Sequence, residues 1–263
     1  MLNKSTQHLA HMLTAVCLLA GLMTGAFAQS LDGEALKAQI SGSDRDISDR
    51  MRDSARQPVE VLQFLGLEPG MTVLDVYAAG GYYTYILSKA VGPDGIVYAQ
   101  NSPRALRYDE DRTDISQGDA LANKIRDGQL QNVERIDRGI QDSGLPEASV
   151  DFVLVSQILH DYFNRSPASA YSLLVELHRL LRPGGIIGII DHHGAPGNDN
   201  RRLHRMVQSD AEQVITDAGF IIEAESELLL TDGDNPRRSI FDPMLNRGTS
   251  QFLLRARKPA DSL

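Results

Sequence analysis

The sequence predicts an α/β fold: a seven-stranded, mostly parallel sheet with helices on both faces and an antiparallel last strand. Three observations predict it. From residue 71 onward, short apolar runs alternate with stretches of helical periodicity, the pattern of parallel strands joined by crossover helices. The run Phe152, Val153, Leu154, Val155 is apolar without alternation, as a strand covered on both faces must be. Finally, the strand-like runs at about 220–230 and 250–257 have no helical segment between them, so they can pair antiparallel.

Taken in order, residues 1–28 lie outside this fold. Lys4 is the only Lys, Arg, Asp or Glu before Asp32, and the apolar run Met12 to Gly21 leads to Ala26, Phe27 and Ala28, a small-x-small cleavage site. The run is too short for a typical membrane span and reads as a signal peptide, or less readily as an uncleaved anchor; either exports the domain to the periplasm or beyond. Residues 29–57 are polar and highly charged, and read as one or two solvated helices laid over the core. The main domain spans 58–258. Pro58 opens a short helix with Val59, Leu62 and Leu65 on one face and Gly66 at its end. A first strand follows at 71–76, then a helix at about 82–90 and a turn at Gly92, Pro93, Asp94 and Gly95. The second strand is Ile96–Gln100, the next helix about 117–127, the third strand about 133–138, and the fourth runs from Asp151 to Val155.

Ser166 and Pro167 cap a helix whose Leu173, Leu174, Leu177, Leu180 and Leu181 follow helical spacing. Arg182, Pro183, Gly184 and Gly185 stop it before a fifth strand, Ile186–Ile190. Ser209 with Glu212 predicts a capping box for a helix that turns Val214, Ile215 and Ala218 inward and ends at Gly219. The stretch 231–249, rich in Asp, Asn, Pro and Arg, is long for a plain connection and suggests a lid, an oligomer contact or disorder.

Composition narrows the function. The chain has 263 residues, 42% of them hydrophobic, enough for one well-buried domain. A net charge of −9 argues against a nucleic-acid partner, and the absence of Trp argues against base-stacking platforms. Cys17, inside the leader, is the only cysteine, so the exported chain has no disulfide, thiolate metal site or cysteine nucleophile. No dimer motif or repeat is present, which leaves the oligomeric state open.

Residues 71–84 carry the densest signal. Val73, Leu74 and Val76 form a buried strand around Asp75, a small-residue turn with Gly80 and Gly81 follows, and a helix starts near Tyr82. Such a unit brings bare backbone and a helix N-terminus to one point, the usual place for a nucleotide-like ligand. It resembles the first motif of class I S-adenosylmethionine (SAM)-dependent methyltransferases, a Rossmann-like family. The family's acidic-x-Gly-x-Gly-x-Gly frame falls on Asp75, Tyr77, Ala79 and Gly81, so only the last glycine is kept. A positive φ at Tyr77 or Ala79 would cost about 1 kcal/mol or more, so the turn is expected to take another path through Gly80 and Gly81. The approach to the fourth strand (Leu145, Pro146, Ser149 to Phe152) and the Arg-Pro-Gly-Gly stop fall in the family's order. The exported start, Gly80 to Thr84, Leu159 to Tyr162 and Asp191 to His193 resemble an exported, poorly characterised subgroup.

The resemblance implies SAM as cofactor and a small-molecule acceptor. It implies a cofactor pocket at Asp75, Tyr77, Ala79, Gly80, Gly81, Asn101 and Asp142. Asn101 stands where the family holds the ribose hydroxyls, and Asp142 where it faces the adenine; Asp142 is equally a turn-former before Gly144. Tyr77, Tyr82, Tyr83 and Tyr85 cluster at the first turn and line the pocket or pack helix on sheet, with packing preferred for Tyr85. A nicotinamide dehydrogenase would need a glycine fingerprint this turn lacks.

Outside the leader five histidines remain: His160, His178, His192, His193 and His204. His160 and Asp161 follow the fourth strand, and His192 and His193 the fifth, which places both pairs on the rim where ligands of such sheets bind. His160, Asp161 and His192 are therefore the candidate catalytic residues, a His or Asp there taking a proton from a hydroxyl, amine or carbon acid. Their alternative role is to bond loop backbone or shape the pocket. A metal site from His160, Asp161, His192 and His193 is conceivable, but no helical His-Glu-x-x-His spacing supports it and none is expected. His178 reads as solvated, and His204 is undetermined. Two functions remain: methyl transfer, or an exported binding or scaffold protein that kept the fold and lost transfer. Mass spectrometry of protein from its native host should find an N-terminus at Gln29; a full-length cytoplasmic species would refute the leader reading.

Overall fold

The computed structural model describes residues 30–43, 45–109, 114–245 and 248–260, so the expected leader and its cleavage site lie outside the described residues. Three helices come first: α1 (Gly33–Ile40), α2 (Ile47–Arg56) and α3 (Pro58–Leu65). Then β1 (Thr72–Val76), α4 (Tyr82–Val91), β2 (Ile96–Gln100), α5 (Gln117–Asp127) and β3 (Val133–Ile136) alternate. They are followed by β4 (Val150–Ser156), α6 (Leu159–Arg165), α7 (Pro167–Leu180) and β5 (Leu181–His192). The chain ends with α8 (Asn200–Leu203), α9 (Gln208–Asp217), β6 (Ile221–Ser226) and β7 (Gln251–Arg257).

The seven strands lie in the order β3-β2-β1-β4-β5-β7-β6. β7 runs antiparallel between β5 and β6, as the two consecutive late strands implied, and the other neighbours are parallel. Strand pleat divides the apolar residues between two cores. Leu74, Val153, Ile187 and Leu254 face α7 and α9, where Leu173, Leu177, Val214 and Ile215 meet them. Val73, Phe152, Leu154 and Ile186 point the other way, onto Leu62, Leu65, Ile86 and Leu87 of α3 and α4. Both faces of the sheet are thus covered, which confines ligand access to the ends of the strands.

Local signals place several boundaries. Ser166 caps α7, its Oγ accepting from the Ser169 N–H, and Pro167 opens the first turn. The Arg182 to Gly185 segment ends α7, but it lies within β5, which already pairs with β4 at Leu181 and slips register before Ile186. Gly184, at φ 77°, supplies that kink. The expected capping box does not form: α9 begins at Gln208, one residue before Ser209, and Glu212 accepts from the Gln208 side chain instead. His178 is half-buried against Phe220, ring centroids 5.0 Å apart, where solvation was expected.

The largest departure is α2, expected as a solvated helix. Its charged side faces inward, while Ile47 and Met51 are 68% and 76% exposed. Asp49 is buried and pairs with Arg52 and with Lys124 of α5. Arg45, also buried, makes a bidentate pair with Asp53 at 2.6 and 2.9 Å, and the Tyr82 hydroxyl donates to Asp53 at 2.8 Å. The Arg56 guanidinium lies 4.4 Å from the Tyr82 ring centroid. Asp49→Ala removes a buried carboxylate from two ion pairs, so it should cost about 1.5–3 kcal/mol. Urea denaturation checks this, and a loss below about 1 kcal/mol would mean the network is no more than a surface pairing.

Candidate active site

The turn after β1 follows the path that glycines would favour, without the glycines. Tyr77, Ala79 and Gly81 all take positive φ, at 55°, 50° and 87°. The sequence-based expectation that Gly80 and Gly81 would share the permissive dihedrals is corrected: Gly81 alone does so, and Gly80 is not in the left-handed region. What holds two strained residues is a pair of amides at the end of β2. Gln100 accepts from the Tyr77 N–H at 3.2 Å and donates to the Arg138 carbonyl at 2.6 Å. Asn101 accepts from the Ala79 N–H at 3.0 Å and donates back to the Ala79 carbonyl at 3.1 Å. The Gln100 carbonyl also accepts from the Ala78 N–H.

Asn101, expected to meet a ribose diol, is therefore fully buried and clamped to the loop backbone. Asp75 is buried beneath α4, where it accepts from the Thr84 hydroxyl at 2.7 Å. Burial pushes its carboxyl up to about 7, against the hydrogen bonds from Thr84. Asp142 sits exposed on a short 3-10 turn, Ile140–Asp142, at the rim. Of the tyrosines, Tyr82, Tyr83 and Tyr85 are buried in the core beneath the N-terminal helices, and only Tyr77 is half-exposed. Tyr77 bridges the two halves of the site. Burial raises its phenol to about 12, and Tyr108, Asp161 and Tyr162 add to the rise from close by.

At the ends of β4 and β5 the structure brings the sequence-predicted rim residues together and adds two that sequence reasoning did not assign. His160, in the first turn of α6, is buried, with Nδ1 2.6 Å from Asp191 Oδ1. Asp191, the fully buried penultimate residue of β5, also accepts from the backbone N–H groups of His160 and His192, each at 2.8 Å. Burial disfavours the His160 cation, yet the charge and hydrogen bond of Asp191, with Asp161 beyond, outweigh it and raise the imidazole above its usual value. Asp191 responds in the opposite sense: burial alone would raise it, and His160 holds it below the usual carboxylate range. Asp191 had a sequence signal, the Asp-His-His run at the strand end, but nothing marked which of the three would be the anchor.

His160 Nε2 faces Asp161, 3.4 Å from its Oδ1, and His204 Nδ1 reaches the same oxygen at 3.3 Å. His204, undetermined from sequence, thus joins the site from beyond α8. His192 lies nearby, its ring centroid 5.9 Å from that of His160, but its Nδ1 is engaged with the Thr249 hydroxyl at 2.8 Å. Burial above all, then the positive charges of His160, Arg205 and Arg56, push its imidazole down to about 3. It stays neutral across the ordinary pH range. Of the segment after β6, residues 231–245 lie against this side and are anchored by buried Arg205, which pairs with Asp234 at 2.7 and 2.8 Å and donates to the carbonyls of His193 and Arg238. Phe241 from this segment meets the His204 ring, centroids 4.9 Å apart.

Comparison with known proteins shows what the chain is similar to. Residues 74–189 match the methyltransferase domain family. An uncharacterized methyltransferase of Synechocystis is 26% identical over 175 residues, covering 61% of this chain and 72% of that protein. A demethylmenaquinone methyltransferase of Geobacillus stearothermophilus is 28% identical over 127 residues, covering 48% of this chain. The chain spans about half the length of the demethylmenaquinone methyltransferases it matches, 47% in that case. Among solved structures, a SAM-dependent methyltransferase from Aquifex aeolicus superposes with a TM-score of 0.59 at 23% identity, covering 86% of this chain and 98% of its own. The loop clamp makes a direct prediction. Asn101→Ala leaves the N–H and C=O of Ala79 without partners, so stability should fall by about 2–4 kcal/mol. Thermal denaturation measures it, and an unchanged midpoint would show that the loop holds its shape without Asn101.

Proposed function

We propose that the region around residues 74–189, which matches the methyltransferase domain family, transfers a methyl group from SAM to a small-molecule acceptor held against His160 and Asp161. The observation that carries the acceptor side is the buried His160–Asp191 couple at the ends of two adjacent central strands, 2.6 Å apart. Asp191 holds the proton on Nδ1, which leaves the Nε2 lone pair directed at the acceptor. SAM, when bound, supplies an electrophilic methyl group. The glycine-path turn with Asp75 and Gly81, and Asp142 at the rim, fits the cofactor half, and Tyr77 links it to Asp161. Most of the rate in this class comes from in-line positioning. His160 takes the proton of a hydroxyl, amine or carbon acid, and Asp161 orients a polar acceptor. His192 is a poor base because its imidazole titrates near 3.

The rival reading, an exported scaffold that lost transfer, gains nothing from the family match, and the two motif departures behind it serve the loop itself. Export remains part of the proposed reading on the strength of the leader alone. The acceptor of the demethylmenaquinone methyltransferases belongs in a first assay panel, with phenols and amines beside it.

Calorimetry with SAM and S-adenosylhomocysteine tests the cofactor half, and Gly81→Val should abolish binding. Gly81 takes φ 87°, and a Cβ there would come 2.7 Å from the Leu121 side chain. His160→Ala should lower turnover about 100-fold or more with SAM affinity nearly intact, and His192→Ala much less. The active form of His160 is neutral, and after the opposing effect of burial the Asp191 charge raises its imidazole above the usual value, so turnover should rise with pH through a midpoint higher than that of a free imidazole. No SAM binding at millimolar concentration would overturn the enzyme reading; near-normal turnover in His160→Ala would reduce that ring to shaping the pocket.

A further inference from the structure

We infer that His160, Asp161 and His204 form a site for a divalent transition-metal ion, in the class of zinc or cobalt, that holds the acceptor's oxygen or nitrogen. The inference rests on the acceptor's place in the reading above, names what binds there, and gives His160 Nε2 the part of a ligand in place of that of a base. Geometry is the first reason. Asp161 Oδ1 lies 3.4 Å from His160 Nε2 and 3.3 Å from His204 Nδ1, and the three ligand atoms lie within 4.8 Å of one another. Ligands about 2.0–2.1 Å from a tetrahedral ion are about 3.3–3.4 Å apart, so two of the three separations already have the value a bound ion would impose. Both are longer than a charge-assisted hydrogen bond of about 2.7–2.9 Å.

The surroundings are the second reason. Asp191 accepts from Nδ1 of His160 and orients Nε2, the carboxylate–histidine arrangement that supports metal-bound imidazoles. His204 is held at φ 54°, a strained conformation for a histidine, with Phe241 packed on its ring. Strain of about 1–3 kcal/mol at such a residue persists only where the surroundings impose it, and it gathers at ligand sites. The Asp161 and His204 side chains are 45% and 39% exposed, so the cluster opens on one side and leaves coordination positions for water or acceptor. Two imidazoles and one carboxylate suit zinc, cobalt or iron(II) better than the softer copper(I).

The ion changes the chemistry of proton loss. With Nε2 on the metal, His160 is a ligand, and the cation lowers the pKa of an acceptor hydroxyl bound beside it. The O–H bond breaks and its proton leaves to solvent. The metal-bound oxygen then forms the new O–CH3 bond as the S–CH3 bond of SAM breaks. The positive charge of SAM and the negative charge of the oxygen cancel in the products, a methyl ether and S-adenosylhomocysteine.

The test uses the full chain without a polyhistidine tag, stripped with chelator and titrated with Zn2+ by calorimetry and with Co2+ by visible absorption. One ion per chain is expected, with a Co2+ spectrum of low coordination number. Asp161→Asn and His204→Gln, both at partly exposed positions that should fold normally, should each weaken binding about tenfold or more, and Asp191→Asn by a similar factor without touching the ion. His178→Gln, remote from the cluster, should bind as the parent does. No stoichiometric binding, or binding that ignores all three substitutions, would overturn the inference. If no ion binds and His160→Ala still abolishes turnover, the base role stands alone and the metal site falls; if the ion binds and His160→Ala turns over normally, the base role and the ion's hold on the acceptor both fall.

Discussion

A carboxylate with no access to water, Asp191, organises the side of the site proposed to hold the acceptor. Burying the Asp191 charge would cost several kcal/mol if nothing answered it. Three donors answer it: the His160 ring and the backbone N–H groups of His160 and His192. Through them the β4–α6 junction is tied to the end of β5, and the His160 ring has one orientation. The consequence for His192 is indirect. Its N–H belongs to Asp191, so its ring turns toward Thr249, away from proton exchange with an acceptor. The order of neighbours in the sheet makes this possible, because β4 and β5 are paired side by side, with Ser156 opposite Ile190 and β5 continuing through Asp191 to His192.

The cofactor half is held by different means. Tyr77 and Ala79 lie in the left-handed region at a cost of about 1–2 kcal/mol each, and the hydrogen bonds their N–H groups donate to Gln100 and Asn101 offset it. Two departures from the family motif are therefore one feature. Where the glycines are absent, the strand end that would otherwise carry an acidic group for a diol carries amides that grip the loop. An amide can donate and accept at once, which a carboxylate cannot, and Asn101 uses both functions on Ala79 alone.

The fold was legible because its signals are local. Unbroken burial at Phe152 to Val155, the Ser166–Pro167 cap and two adjacent late strands each need only a few residues to read. The rim pairs His160–Asp161 and His192–His193 were legible too, since topology alone places both strand ends together. The loop dihedrals were not, because the partners that impose them stand more than twenty residues away at Gln100 and Asn101. The same holds for α2. Arg45, Asp49, Arg52, Asp53 and Arg56 recur at helical spacing, which reveals a charged face but not its direction. What turns it inward is Tyr82 and Lys124, from helices far along the chain. His204 had no periodic context at all, and its place depends on how the chain folds back after β5.

That return path shows how closely structure and electrostatics are joined here. Segment 231–249 contains few apolar residues to anchor it, and Phe241 and Met244 remain exposed. Arg205 supplies the anchor: fully buried, it reaches Asp234 with both arms of its guanidinium and bonds the carbonyls of His193 and Arg238. The Ile240 N–H then bonds the Leu203 carbonyl, which brings Phe241 onto His204. The same guanidinium adds to the positive field that, after burial itself, keeps His192 neutral. A residue such as Lys would carry the charge but not the planar fork that satisfies Asp234 and two carbonyls at once. The fork fixes the segment over the site, and the charge that comes with it leaves His160, held beside Asp191, as the one rim imidazole in contact with both a buried anion and the acceptor space.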